Sequence, residues 1–207
     1  MLIARRGFIP VLANHHNRSA YPAVVAQKLA LKRDIPVNNT SRSHSPNFLD
    51  LKKDGQLLLA FGLGAGLSPK APGTVGTIAA LPGVLLLGQF ALFGQLLILT
   101  VVVALGVLVS DYAVKKLRVH DHPGIVIDEF AGLWLSFFLV PLSLPLVVIG
   151  FILFRLLDIL KPWPISWLDR KVKGGIGVMA DDLLAGLITC LILHGLIRVP
   201  ALSAWLV

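Results

Sequence analysis

From Ala71 through Ser110 the chain carries no charged side chain, and the same holds from Phe130 through Phe154 and from Leu183 through Ile197. Uncharged stretches of this length suit a bilayer better than a water-soluble domain, whose surface helices need a polar face. The whole chain agrees: 56% of its 207 residues are hydrophobic and 14% are charged, against roughly 45 to 50% and 25% in an average soluble domain. The expected fold class is all-α, an integral membrane multi-helix bundle with a disordered basic N-terminal extension.

Read as helices of about 15 to 20 residues, the apolar stretches give candidates over 76–93, 95–114, 126–140, 143–160 and 179–197. The third is short for a span, and Pro141 and Pro145 follow it, which suits a helix buried among its neighbours or a locally thinned bilayer. The stretch from Leu57 to Leu67 is too short to cross and is expected at the interface or re-entering.

Charge is unevenly spread. Residues 1–54 hold nine Lys/Arg against three Asp, while residues 55–207 hold ten Lys/Arg against eight acids. The front also has Ser, Asn and Pro clusters without a sustained apolar period, so residues 1–47 are expected to be a disordered extension and 48–207 the helical domain. A short helix near Tyr21 to Arg33 and a targeting role for this segment are both compatible with its composition. The net charge of +8 does not point to nucleic acid, because the helices carry so little of it; a membrane surface with anionic lipid fits it better. The single cysteine, Cys190, excludes an internal disulfide.

Turns between the first and second helices and between the third and fourth are uncharged. The opposite ends carry Lys70, then Lys115, Lys116 and Arg118, then Lys161, Arg170, Lys171 and Lys173. By the positive-inside rule that end is cytoplasmic. It also holds Asp111, Asp121, Asp128, Glu129, Asp158, Asp169, Asp181 and Asp182.

Three groups of these residues stand out. In His120-Asp121-His122-Pro123-Gly124-Ile125-Val126-Ile127-Asp128-Glu129 a polar loop leads into a helix that opens with two carboxylates. Such acids complement a helix dipole, but this pair runs straight into an apolar segment, where ionisable groups are usually functional. The two His have no third soft ligand for zinc at a recognisable spacing, so an oxygen-bound hard cation fits better. In Phe154-Arg155-Leu156-Leu157-Asp158-Ile159-Leu160-Lys161-Pro162-Trp163-Pro164-Ile165 the charges fall three apart on one helical stripe. This is either an intrahelical ion pair or a phosphate-reaching cation oriented by a carboxylate. In Gly174-Gly175-Ile176-Gly177-Val178-Met179-Ala180-Asp181-Asp182 a glycine-rich loop is expected to feed a helix with two acids in its opening turn, which repel unless a cation or proton intervenes. A fourth stretch, 62–77, is rich in Gly and ends in threonine, a residue able to cap the first long helix; it lacks the Gly-Lys-Ser/Thr of a Walker loop.

Taken in order, these four motifs resemble the phosphatidylglycerophosphatase A family over about residues 60–193. The resemblance implies an all-helical, Mg²⁺-dependent enzyme, multi-pass in the bacterial inner membrane with its active site facing the cytoplasm. It would hydrolyse an anionic phospholipid, phosphatidylglycerol phosphate, to phosphatidylglycerol. On that reading Asp128, Glu129, Asp181 and Asp182 hold Mg²⁺, and Asp121 is a further ligand or a general base. Arg155 and Lys161 bind phosphate, with Asp158 orienting them. Phosphate monoesters are among the slowest bonds to hydrolyse unaided, so a site of this composition needs charge neutralisation. Other phosphatase designs are absent from the sequence: Leu196, not Arg, stands six residues after Cys190, and no Asp-x-Asp pair occurs. Two alternatives of other classes are a small ion-coupled transporter using the same acids and a non-catalytic membrane scaffold. The first is disfavoured by the acids' clustering at one face, and the second leaves the acid pairs unexplained.

Overall fold

A computed structural model of the chain describes residues 46–119 and 122–206. The segment expected to be disordered, including the helix near Tyr21 to Arg33, lies outside the described residues except for its last two positions. Among the described residues there is no strand. The helices are α1 (Phe48–Lys53), α2 (Gly55–Ala60), α3 (Pro72–Leu87), α4 (Leu92–Leu117), α5 (Ile127–Ser136), α6 (Leu144–Leu160), α7 (Ile165–Lys171), α8 (Gly174–Ile197) and α9 (Pro200–Leu206). A kinked 3₁₀ segment, Gly62–Leu67, joins α2 to α3.

Local chemistry sets several boundaries. Asn47 caps α1: its Oδ1 accepts from Leu49 N and Asp50 N at 2.9 and 3.0 Å, and its own N–H donates to Asp50 Oδ2 at 3.0 Å, a reciprocal capping box. Asp54 caps α2 through the N–H groups of Gln56 and Leu57, each 3.1 Å away. Ser143 caps α6, and Pro72 and Pro145 sit where a first helical turn needs no N–H. No threonine caps α3. Its cap is the left-handed Ala71, while Thr77 Oγ1 donates back to Gly73 O at 2.9 Å.

Helix α8 is the central element and packs against α4, α5, α6, α7 and α9. One core, with Leu133, Phe137, Leu146, Phe154, Ala185 and Leu193, fills the space between α5, α6 and α8. A second, with Leu51, Phe61, Val109, Ala113 and Ile125, seats α1 and α2 on the end of α4. Outside these cores, large apolar side chains face outward, including Leu97, Leu108, Leu144 and Leu191.

The five apolar segments are helical in the expected order, with corrected limits. Two helices, Leu92–Leu117 and Gly174–Ile197, are long and apolar enough to cross a membrane. The third candidate shrinks to the ten residues of α5. Its far end is fastened by side chains: His194 Nε2 meets Phe138 O at 3.0 Å, Cys190 Sγ lies 3.6 Å from the same oxygen, and Leu139 N donates to Gln95 Oε1 at 2.9 Å. The clearest departure is at 174–177. These glycine-rich residues are not a loop but the first turn of α8. A Cβ on Gly175 would lie 2.1 Å from Val107 O, and one on Gly177 2.4 Å from Val172 O. Close packing against α4 and the 172 turn thus calls for glycine here, inside a helix, despite its poor helix propensity.

Candidate active site

Five helices border one cleft of about 400 Å³, α7 among them through Asp169 and Arg170. Helix α5 brings Asp128 and Glu129 in its first turn, α6 brings Arg155 and Asp158 in its last turns, and α8 brings Asp181 and Asp182 about two turns in. The N-terminal turn of α3 closes another side with Pro72 and Gly73. Asp181 and Asp182 therefore stand deeper in α8 than an opening-turn position, so dipole capping does not account for them.

Close helix crossings make the convergence possible. A Cβ on Gly186 would lie 2.2 Å from Gly132 O, and one on Gly132 2.7 Å from Asp182 O. Only backbones without side chains approach this closely. Gly73 behaves alike, since a Cβ there would lie 2.4 Å from Glu129 Oε1 and 3.3 Å from an Arg155 Nη.

The carboxylates form two overlapping trios, Asp128–Glu129–Asp182 and Asp158–Asp181–Asp182, in each of which one oxygen per residue lies within 4.8 Å of the others. Glu129 is 8% exposed, Asp181 6% and Asp182 3%. Asp128 Oδ1, Glu129 Oε2 and Asp182 Oδ2 are buried without a hydrogen-bond partner. Buried oxygens of this kind are costly unless a proton or cation meets them. The donor set is all oxygen, which suits a hard divalent cation.

Two basic side chains serve the acids. Arg155 Nη1 is 2.6 Å from Asp158 Oδ2 and 3.9 Å from Glu129 Oε1, and Arg155 Nη2 donates to Thr74 Oγ1 at 3.3 Å. Arg155 Nε is buried and unpartnered. Lys161 leaves the α6 stripe: it ends the helix in the left-handed region, φ 42°. Its Nζ donates to Asp169 Oδ1 and Asp181 Oδ2, both at 2.6 Å. Burial works against the Lys161 charge, yet the two carboxylates outweigh it and hold the ammonium above the ordinary lysine range.

Of the residues singled out in the sequence, Asp128, Glu129, Asp158, Lys161, Asp181 and Asp182 line this cleft, and Arg155 joins them through its contacts with Glu129 and Asp158. Asp121 lies outside the described residues. His122 lines the cleft with its Nδ1 accepting from Gly124 N at 3.1 Å. Sequence reasoning missed the contacts of Gly73, Thr74 and Asp169. For Asp169 the available signal was its presence on the same charged end.

A family model described as phosphatidylglycerophosphatase A matches residues 58–197. The Escherichia coli phosphatidylglycerophosphatase A is 44% identical over 66% of this chain and 80% of its own length. The Haemophilus influenzae phosphatidylglycerophosphatase A is 38% identical over 72% of this chain and 89% of its own. A Bacteroides thetaiotaomicron protein described as a candidate phosphatidylinositol-3-phosphatase is 35% identical over 68% and 89%. No solved structure matches the chain. The matched range spans every described helix that contributes to the cleft, and the chain belongs to the phosphatidylglycerophosphatase A family.

Proposed function

We propose that this enzyme is a Mg²⁺-dependent membrane phosphatase that hydrolyses phosphatidylglycerol phosphate to phosphatidylglycerol and phosphate. The observation that carries the metal requirement is the set of three unpartnered buried oxygens, Asp128 Oδ1, Glu129 Oε2 and Asp182 Oδ2. These residues would hold the cation, which when bound offsets charge on the phosphoryl group and lowers the pKa of water. Substrate class follows from the names of its E. coli and H. influenzae relatives.

The chain's own residues have distinct tasks in that reaction. Arg155 presents its guanidinium to the phosphoryl oxygens, held in place by Asp158 and Thr74. Its planar fork suits an anion with several oxygens. The start of α3 adds the positive end of a helix dipole beside the cleft. Asp121 remains the proposed further ligand or general base. Hydrolysis breaks the bond between phosphorus and the glycerol oxygen, water supplies the new oxygen on phosphorus, and a proton goes to the departing alkoxide.

Membrane residence is supported by the two span-length helices and by the outward Leu side chains. Trp163 and Trp167, both exposed beside the cleft's α6–α7 turn, suit the headgroup layer. Lys70, Lys115, Lys116, Arg170, Lys171 and Lys173 favour a cytoplasmic site in a bacterial inner membrane. The test is phosphate release by purified enzyme from phosphatidylglycerol phosphate, phosphatidic acid and a phosphoinositide, with and without EDTA. Preference for the first substrate, lost in EDTA and restored by Mg²⁺, is expected. Equal release after complete metal removal would overturn the metal reading, and preference for another lipid the substrate reading.

A further inference from the structure

The two carboxylate trios share Asp182, an arrangement that in other chemistry holds a pair of divalent ions. Here the two halves are not equivalent. In Asp128–Glu129–Asp182 each residue has a buried oxygen without a partner, and the nearest ion-pair contact is Arg155 at 3.9 Å from Glu129. In Asp158–Asp181–Asp182 two of the three carboxylates are already matched, Asp158 by Arg155 and Asp181 by Lys161, each at 2.6 Å.

The route by which Lys161 reaches Asp181 is built into the fold. The left-handed turn at Lys161 ends α6 with its N–H on Leu157 O at 2.9 Å. The side chain thereby leaves the Arg155–Asp158 stripe and crosses to α8. Asp169 on α7 then holds the same ammonium from the other side at 2.6 Å. A divalent ion on Asp181 would sit on the same carboxylate as this ammonium, against direct charge repulsion. Lysine suits the place because its ammonium is a compact point charge.

We propose that Lys161 is a built-in cation that takes the place of a second metal, so the enzyme binds one exchangeable divalent ion, on Asp128, Glu129 and Asp182. Lys161 is then a positioning residue for Asp181, and its role rests on the cation-dependent reading above.

The experiment counts ions on the full-length protein in detergent, stripped of metal and titrated with Mn²⁺ by calorimetry and equilibrium dialysis. Wild type and Lys161→Arg are expected to bind one Mn²⁺ per chain, and Lys161→Met two. Adding Asp158→Asn to Lys161→Met returns the count to one. Asp181→Asn keeps one ion with affinity within a few-fold, whereas Asp182→Asn loses it. Two ions on wild type overturn the proposal, as does a single ion on a folded Lys161→Met protein or loss of the ion in Asp181→Asn. If Lys161→Met does not fold, the wild-type and Asp181→Asn counts decide. Two ions on an active wild-type enzyme would leave the metal-dependent phosphatase reading intact, whereas none on an active enzyme would sink both.

Discussion

Gly132 and Gly186 cross in backbone contact, with Gly132 O only 2.2 Å from where a Cβ on Gly186 would stand. Each glycine lies about one helical turn beyond carboxylates of the site, Asp128 and Glu129 on α5 and Asp182 on α8. The crossing thus sets the spacing of the three oxygens. Gly186→Ala should push the helices apart by on the order of 1 Å, and displacements of that size can cost about 100-fold in rate. Mn²⁺ affinity should fall with it. An unchanged kcat in a folded Gly186→Ala protein would show that the crossing does not set the site.

Arg155→Lys separates two roles for the same charge. If Arg155 serves only its ion pair with Asp158, lysine should cost little, since such pairs contribute about 0 to 1 kcal/mol. We expect instead a loss in turnover on the order of 100-fold, as for removal of a preorganised transition-state donor. The thermal midpoint and membrane insertion should be unaffected. Steady-state kinetics at saturating Mg²⁺ and substrate distinguish the two outcomes.

Asp128→Asn and Asp182→Asn each remove one negative charge from the trio and leave its shape. Both should lower turnover by about 100-fold or more while the protein still accumulates in the membrane fraction. Raised Mg²⁺ should recover part of the activity if the defect is in metal affinity. Near-normal turnover in either variant at low Mg²⁺ would remove that residue from the ligand set.

Outside the cleft, Asp54 joins α2 to α4 by accepting from Tyr112 Oη at 2.9 Å and from Lys116 Nζ. Burial opposes its charge, but the Lys116, Leu57 and Tyr112 hydrogen bonds prevail and hold the carboxyl below its ordinary value of 3.8. With the folded pKa below the unfolded one, this contribution is complete above that ordinary value and is lost as pH falls through the folded pKa. Asp54→Asn keeps a capping side chain, so its deficit in thermal midpoint should be present at pH 7 and shrink towards pH 3. Asp54→Ala also loses the cap, at a cost of about 1 kcal/mol. A deficit independent of pH would show that the charge is not what matters.

Deleting residues 2–45 should leave turnover on detergent-solubilised substrate nearly intact. The family match begins at residue 58, and the cap of α1 is at Asn47. Loss of activity in a folded deletion protein would give the segment a role in catalysis.

The sequence made the helices legible where apolar stretches were long, as in α4 and α6, because an uncharged run of that length exceeds an ordinary strand and fits a helix. The acids were legible because charge is conspicuous in such a chain. What it hid was set by contacts between distant segments. Gly174–Gly177 reads as a loop by propensity, yet it is the first turn of α8, where the nearness of Val107 and Val172 leaves no room for a Cβ on Gly175 or Gly177. Lys161 reads as the third charge of a stripe, and only the left-handed turn at φ 42° sends it to Asp169 and Asp181. Helix α7 is too short for its apolar period to speak, although it supplies Asp169.

Helix α5 has ten residues, about 15 Å of rise, roughly half the 30 Å hydrocarbon layer. Its far end is closed by His194, Cys190 and Gln95, the kind of closure a helix terminus needs if it is to lie within a bilayer. In the proposed orientation the chemistry is therefore confined to one leaflet. On that orientation headgroups would be trimmed where they are presented, the acyl chains would not need to change sides, and the product would stay in the monolayer that supplied the substrate.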